Sequence, residues 1–238
     1  MIILNETREA EKIIEQECLT DKIYYSVMLL TRYYYHKKGM RGRELYNTVT
    51  DFMRSHCENY DSIKWGKLIL KIAKQAKERP LTEIMCIKVT KSELNKIKTL
   101  KTVRLKRLAF TLLCLAKFNN ARNSRNNNWV TQNHKDIFAM ADIRTTNGQQ
   151  ALMLNDLECA GLISFSQKVD NVNIRVDFID TNGRAALMIQ DFRHLGTEYM
   201  ASLSPKFYSR CLNCGQIFKI SGRNHKYCSE CTAEKFVK

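Results

Sequence analysis

Four cysteines near the end of the chain, Cys211, Cys214, Cys228 and Cys231, stand in the spacing C-x2-C-x13-C-x2-C. Each C-x2-C turn can present two thiolates to one ion. Two such turns in one short segment supply the four soft donors that a tetrahedral Zn²⁺ favours. Four thiolates leave no open coordination position, so the expected zinc is structural and not catalytic. Gly215 follows Cys214 and permits the tight backbone of a metal knuckle. Phe218 and Tyr227 offer a minimal core to a segment too small to fold without a staple. His225 lies three residues before Cys228, but four cysteines suffice and it stays outside the expected set. A disulfide pair is the alternative for an oxidising compartment. The other five cysteines (Cys18, Cys57, Cys86, Cys114, Cys159) are scattered among apolar residues, and the expectation for them is small buried hydrophobes.

The motifs of common catalysis are missing from the sequence. It contains no G-x4-G-K-[ST], no H-E-x-x-H and no G-x-S-x-G, the patterns that build phosphate loops, zinc proteases and nucleophile elbows. The histidines His36, His56, His134, His194 and His225 show no ligand spacing. The chain is therefore not expected to be an enzyme.

Charge points to a polyanionic partner. The formal net charge is +15 with a pI near 9.5, and such a balance suits nucleic acid. It is uneven: residues 1–21 carry −4, 22–80 carry +8, 81–130 carry +9, 131–205 carry −3 and 206–238 carry +5. No apolar run approaches the roughly 18 residues that span a membrane. The first residues lack the pattern of a signal peptide. The expectation is a cytoplasmic protein.

The elements that must position these groups are mainly helical. Pro80 and Pro205 fall where the pattern changes and suggest domains over 1–80, 81–204 and 205–238. Residues 1–78 read as a helical bundle. Asp21 is the expected cap of a helix running to Gly39, and Ile63, Leu68, Ile69 and Ile72 form one face of a later helix. The Tyr33-Tyr34-Tyr35 run reads more simply as a packed face than as a base-stacking platform. After Pro80 come a short strand over 84–89 and a helix begun by Thr90 or Ser92. An amphipathic helix over 101–118 follows, with Lys101, Arg104, Lys106 and Arg107 at its start. Residues 119–128 form a polar loop holding Arg122 and Arg125. That loop is either solvated or in contact with phosphate.

A short helix over 135–141, a turn at Ile143-Arg144-Thr145-Thr146 and a helix over 148–159 come next. In the last, Leu152, Leu154 and Leu157 are expected inward. Gly161 stops it. Strand-like runs over 162–168 and 173–179 follow, joined by Val169-Asp170-Asn171. In the second, Val172, Ile174, Val176 and Phe178 alternate with polar residues. Residues 185–189 read as a third strand and 191–203 as a last helix.

Three helices followed by a hairpin resemble the winged-helix form of the helix-turn-helix module. The segment Leu154-Asn155-Asp156-Leu157-Glu158-Cys159-Ala160-Gly161-Leu162-Ile163 is similar to the end of the recognition helix in many bacterial members. The resemblance implies that the third helix meets the major groove through Arg144, Thr145, Thr146, Asn147, Gln149 and Gln150. Gln and Asn suit adenine, and Arg suits guanine. It also implies that the wing offers Lys168, Asn171, Asn173 and Arg175 to the backbone or minor groove. Lys101, Arg104, Arg122 and Arg125 would add phosphate contacts. The cysteine segment resembles the small zinc ribbons of phage and mobile-element proteins. Lys206, Arg210, Lys219, Arg223 and Lys226 surround it; they suit a phosphate backbone or simply a solvated surface. The whole resembles accessory proteins of Gram-positive phages and mobile elements.

The expected fold is thus mainly α with small β elements: a helical N-terminal bundle, a winged-helix domain and a C-terminal zinc ribbon. The expected function is double-stranded DNA binding in transcription regulation or replication initiation. The acidic balance of 131–205 keeps a second function open, an adaptor that docks on a polymerase, helicase or host protein. RNA binding through the ribbon and the Asn/Arg loop is a third.

Overall fold

The computed structural model describes residues 2–20, 22–166, 173–222 and 224–236. Asp21, Lys168, Asn171, Val172, Arg223 and the Val169-Asp170-Asn171 connector lie outside the described residues. The chain divides into two compact units, one over Ile3–Met85 and the other from Cys86 onward. The seam falls beyond Pro80 because the next residues bond back to the first ones. Glu6 N donates to Thr82 O at 2.8 Å and Ile84 N donates to Leu4 O at 2.9 Å.

The first unit holds four helices: α1 (Glu6–Glu15), α2 (Ile23–Lys37), α3 (Gly42–His56) and α4 (Ser62–Ala76). Helix α2 is buried on two faces. Val27 packs with Leu45, Val49, Met53, Trp65 and Ile69, while Leu29, Leu30 and Tyr33 pack with Ala10 and Ile13. Tyr33 is buried, and Tyr34 packs against both clusters. The tyrosine run is thus a packed face. Asp61 caps α4 by accepting from Ile63 N and Lys64 N. The inner face of α4 runs through Trp65, Ile69, Ile72 and Ala76. This phase leaves Ile63 exposed, contrary to expectation. Arg32 anchors the unit: its guanidinium binds both Glu6 carboxylate oxygens at 2.8–2.9 Å and donates to Arg79 O at 3.0 Å.

The second unit is organised on α6 (Val103–Arg122), preceded by β1 (Ile87–Thr90) and α5 (Lys91–Lys98). From Leu108 to Ala116 every residue of α6 is buried. The helix starts at a Thr102 cap, leaving Lys101 before it and exposed. It also runs on through residues expected as loop, because Asn119 is held by tertiary bonds. Its side-chain amide donates to Trp129 O at 2.9 Å. The remaining loop is hydrogen-bonded and not merely solvated: Asn126 Nδ2 donates to Asn120 Oδ1 at 2.9 Å and to Trp129 O at 2.8 Å.

After the loop come β2 (Trp129–Val130), α7 (His134–Met140), α8 (Asn147–Cys159), β3 (Ile163–Phe165) and β4 (Ile174–Val176). The strands form one antiparallel sheet in the order β2-β4-β3. Ile174 lies opposite Val130 and Phe165, and Arg175 opposite Trp129 and Ser164. The third strand of this sheet is therefore β2. Residues 185–189, read as a further strand, do form one, β5 (Ala185–Ile189), and it pairs antiparallel with β1.

Glu93 explains how β1, α5 and α6 are locked. It is fully buried, and it accepts from Thr90 N at 2.7 Å, Asp180 N at 2.8 Å and Lys117 Nζ at 2.7 Å. The bond to Thr90 N completes the capping box that starts α5.

Helix α9 (Leu195–Leu203) lies against α6, with Tyr199 on Phe110 at 5.2 Å between ring centroids. The chain ends with β6 (Tyr208–Arg210), β7 (Ile217–Lys219) and α10 (Ser229–Phe236). This cysteine-bearing end belongs to the same compact unit as α6. Arg210 pairs with the buried carboxylate of Glu198 on α9 at 2.9 Å, and Arg193 donates to Cys214 O at 2.9 Å. No helix among the described residues is long and apolar enough to cross a membrane.

Candidate metal centre and nucleic-acid interface

The antiparallel pair β6–β7 turns at Cys211–Cys214, and α10 begins beside Cys228. Cys211 N donates to Gln216 O at 2.8 Å and Gly215 N donates to Cys211 O at 2.9 Å, which folds the first knuckle. Gly215 takes φ +70°, a left-handed conformation that costs glycine nothing. Leu212 N donates to Lys226 O at 3.1 Å and ties the first knuckle to the approach of the second. The result brings the Sγ atoms of Cys211, Cys214, Cys228 and Cys231 within 4.8 Å of one another.

These sulfurs could hold a metal ion. Four sulfurs at about 2.3 Å from a tetrahedral centre stand about 3.8 Å apart, and Cys214 Sγ and Cys228 Sγ are 3.7 Å apart. Electrostatics argue the same way. Desolvation opposes ionisation of Cys211, yet the backbone around Cys214, Cys228 and Asn213 draws its thiol down to about 6. At Cys231 the Asn213 amide favours the thiolate, but desolvation and the neighbouring sulfurs push the thiol up to about 12. Desolvation likewise raises Cys228. Four thiolates this close need a cation to ionise together. Among the described residues His225 is not part of the cluster. Its Nδ1 faces Ser221 N at 3.1 Å and its ring meets Phe218 edge-on at 4.8 Å.

Of the five other cysteines, Cys57 and Cys114 are buried as expected, and burial pushes the Cys114 thiol up. Cys86 is half-buried, while Cys18 and Cys159 are exposed, contrary to expectation. Cys159 is the last residue of α8, away from the Leu154–Leu157 face.

The turn between α7 and α8 positions the expected base-reading residues. Ile143 N donates to Phe138 O at 2.9 Å, and Asp142 sits at φ +54°. Thr146 caps α8 by accepting from Gln149 N. Arg144, Thr146, Asn147 and Gln149 are exposed and share the first turn of α8 or its approach. Around Gly148 a Cβ would meet nothing within 4 Å, so the backbone there is open to close approach. Thr145 donates its hydroxyl to Gln149 Oε1, leaving the Gln149 amide nitrogen as a donor. Further along α8, Leu152 is 66% exposed instead of buried. The inward residues are Leu154 and Leu157, and Leu152, two residues or about 200° before Leu154, lies on the other side.

Arg104 from α6 and Lys135 from α7 meet Arg144, Thr145 and Gln150 around one cleft of about 750 Å³. One wall is Arg107, which donates to Ala141 O at 2.9 Å and pairs with Asp142 at 3.9 Å. Asp142 in turn bonds His194 Nδ1 at 2.5 Å and accepts from Thr197 N at 2.8 Å. The His194 pKa is raised, first by the bond to Asp142, against the desolvation of its partial burial.

The other expected contacts are not here. Arg122 ends α6, about 27 Å along the helix from Arg104, and stacks on Phe118 at 5.5 Å. Arg125 is exposed in the loop before β2. Arg175 lies on β4 and binds Asp177 at 2.7 Å, so its charge is already partnered. Lys101 does not line the cleft. Sequence reasoning missed Lys135, Asp142 and His194 as parts of the site and assigned Arg107 only to a basic helix start. They come from segments far apart in the chain, and no local pattern joins them. Comparison with protein-family models, curated proteins and solved structures finds no match to this chain.

Proposed function

We propose that this chain is a DNA-binding regulatory protein of transcription or replication initiation. The reading takes residues 103–176 as a winged helix and the cysteine cluster as a structural Zn²⁺ site. The observation that carries it is the first turn of α8. There Thr146, Asn147 and Gln149 stand exposed beside the cations Arg104, Lys135 and Arg144. Side chains of these types read base edges, and the cations meet phosphates. The element order helix, strand, helix, helix, strand, strand with the sheet β2-β4-β3 supports placing α8 as the helix that enters the major groove. Zinc is the metal favoured by four thiolates. With no open position it holds the ribbon together and carries no chemistry of its own. Fluorescence anisotropy on random-sequence duplex DNA tests the reading. Affinity should fall steeply and linearly in log–log form between about 50 and 200 mM salt. Affinity independent of salt would sink it.

A second reading is favoured by Leu152, exposed on α8 with Asp156 one turn further along the same face and also exposed. An apolar side chain beside a carboxylate suits a protein partner better than phosphate. In that case α8 docks an acidic-apolar face on a component of the transcription or replication machinery. Substitution L152S would then abolish partner binding and leave DNA affinity unchanged.

A further inference from the structure

The cleft beside α8 holds more positive charge than its own carboxylate balances. Arg104, Lys135 and Arg144 line it, and none of the three has an ion-pair partner among the described residues. The carboxylate in the lining, Asp142, is already engaged. It bonds His194, accepts from the Thr197 amide and hydroxyl at 2.8 Å each, and pairs with Arg107. That engagement fixes one wall. The Arg107 guanidinium is clamped to the Ala141 and Asp142 carbonyls and cannot swing away without breaking those bonds.

We propose that this cleft binds a phosphate-bearing ligand, with Arg104, Lys135 and Arg144 as charged contacts and Thr145 and Gln150 as hydrogen-bonding partners. A single carboxylate would match one cation, whereas three unpaired cations around one concavity match a group with several anionic oxygens. Arginine favours phosphate because its planar donors meet two oxygens at once. A volume of about 750 Å³ lies within the range of small-ligand sites, roughly 300–1,000 Å³. Two sources supply this chemistry: a backbone phosphate of duplex DNA, and a free polyphosphate or nucleotide. In the first case the inference rests on the DNA reading above. The phosphate site itself does not.

The test uses the metal-loaded full chain and inorganic pyrophosphate, followed by isothermal titration calorimetry at constant ionic strength. The double variant R104Q/K135Q removes two cleft cations at exposed positions, and K67Q/K71Q removes two exposed cations on α4. Thermal melts should show that both fold. Pyrophosphate should bind one per chain, about tenfold or more weaker in R104Q/K135Q and unchanged in K67Q/K71Q. No saturable binding, equal weakening in both variants, or wild-type binding by R104Q/K135Q would overturn the proposal.

Competition with a labelled duplex identifies the source. If pyrophosphate displaces the duplex and R104Q/K135Q weakens both, the cleft holds a DNA phosphate. If pyrophosphate still binds at the cleft but no duplex binds, or the duplex is not displaced, the ligand is the free polyanion. The phosphate site then stands, and the assignment of this face to DNA falls.

Discussion

The carboxylate of Asp142 accepts both the amide N–H and the hydroxyl of Thr197, each at 2.8 Å. This bond joins the turn before α8 to the first turn of α9. The neighbouring residue makes the joint tight: a Cβ on Gly196 would stand 2.0 Å from Ala141 O and 2.8 Å from Arg107 Nε. The Ala141 oxygen is backbone and already bonded to Arg107, so it cannot retreat cheaply. Replacing Gly196 with Ala should therefore destabilise the protein by about 1–3 kcal/mol, the range for overpacking. Urea denaturation reads this as a lower midpoint. It should also weaken pyrophosphate binding, because the Arg107 wall must shift.

The same joint carries a pH dependence. His194 has a pKa raised above its ordinary 6.5. Asp142 faces it, and Asp191 and Glu230 add to its field. A raised pKa means that the folded state holds the proton more tightly than the unfolded chain. The contribution is full below the unfolded value near 6.5 and is lost as pH rises through the folded value. The stability difference between wild type and H194Q should accordingly be larger at about pH 6 than at about pH 8.5. In a D142N background that dependence should shrink. A difference that grows with pH would contradict the assignment.

Glu93 is the most deeply buried carboxylate among the described residues. It is fully buried and bonds Thr90 N, Asp180 N and Lys117. Removing the charge leaves Lys117 without its partner in the interior. Breaking a buried pair in this way costs about 3–5 kcal/mol. Glu93→Gln should lower the unfolding free energy from urea denaturation by that amount. Glu44→Gln, at an exposed position on α3, should leave it unchanged.

The cysteine cluster makes a stoichiometric prediction. Purified protein should carry one zinc per chain by elemental analysis, and Cys228→Ser should bring that close to zero. Cys57→Ser, in the core of the first unit, should keep the metal. Chelation should loosen residues 208–231 while most helical circular dichroism persists, because α1 to α9 are packed without using the sulfurs. Full retention of metal in Cys228→Ser would show that the four sulfurs are not its ligands.

Much of this was readable from the chain. The cysteine spacing named the cluster, and the four sulfurs do converge. Gly161 ends α8 as expected, since a left-handed glycine is a local signal. What was not readable is non-local. Two residues, Trp129 and Val130, become a strand only because β4 pairs with them. The partner of residues 185–189 is β1, about a hundred positions earlier in the chain, and no local signal names it. The polar Asn119 extends α6 because its side chain bonds Trp129 O. Leu152 was misplaced because Ala151-Leu152-Met153-Leu154 is apolar on every side, which leaves the phase of the helix undetermined locally. The cleft draws on α6, α7, the turn before α8, and His194, and no spacing rule links them.

DNA binding through α8 is tested most directly by the triple substitution R144A/Q149A/Q150A, measured by anisotropy on a duplex selected from random sequence by the wild-type chain. All three positions are exposed or half-buried, and circular dichroism should confirm an unchanged fold. Loss of base contacts should weaken that duplex by about 1–3 kcal/mol for each lost bidentate contact. Affinity for an unrelated duplex should fall less, through the single lost charge of Arg144. Unchanged affinity for the selected duplex would contradict the placement of α8 in the groove and leave its exposed Leu152 face to a protein partner.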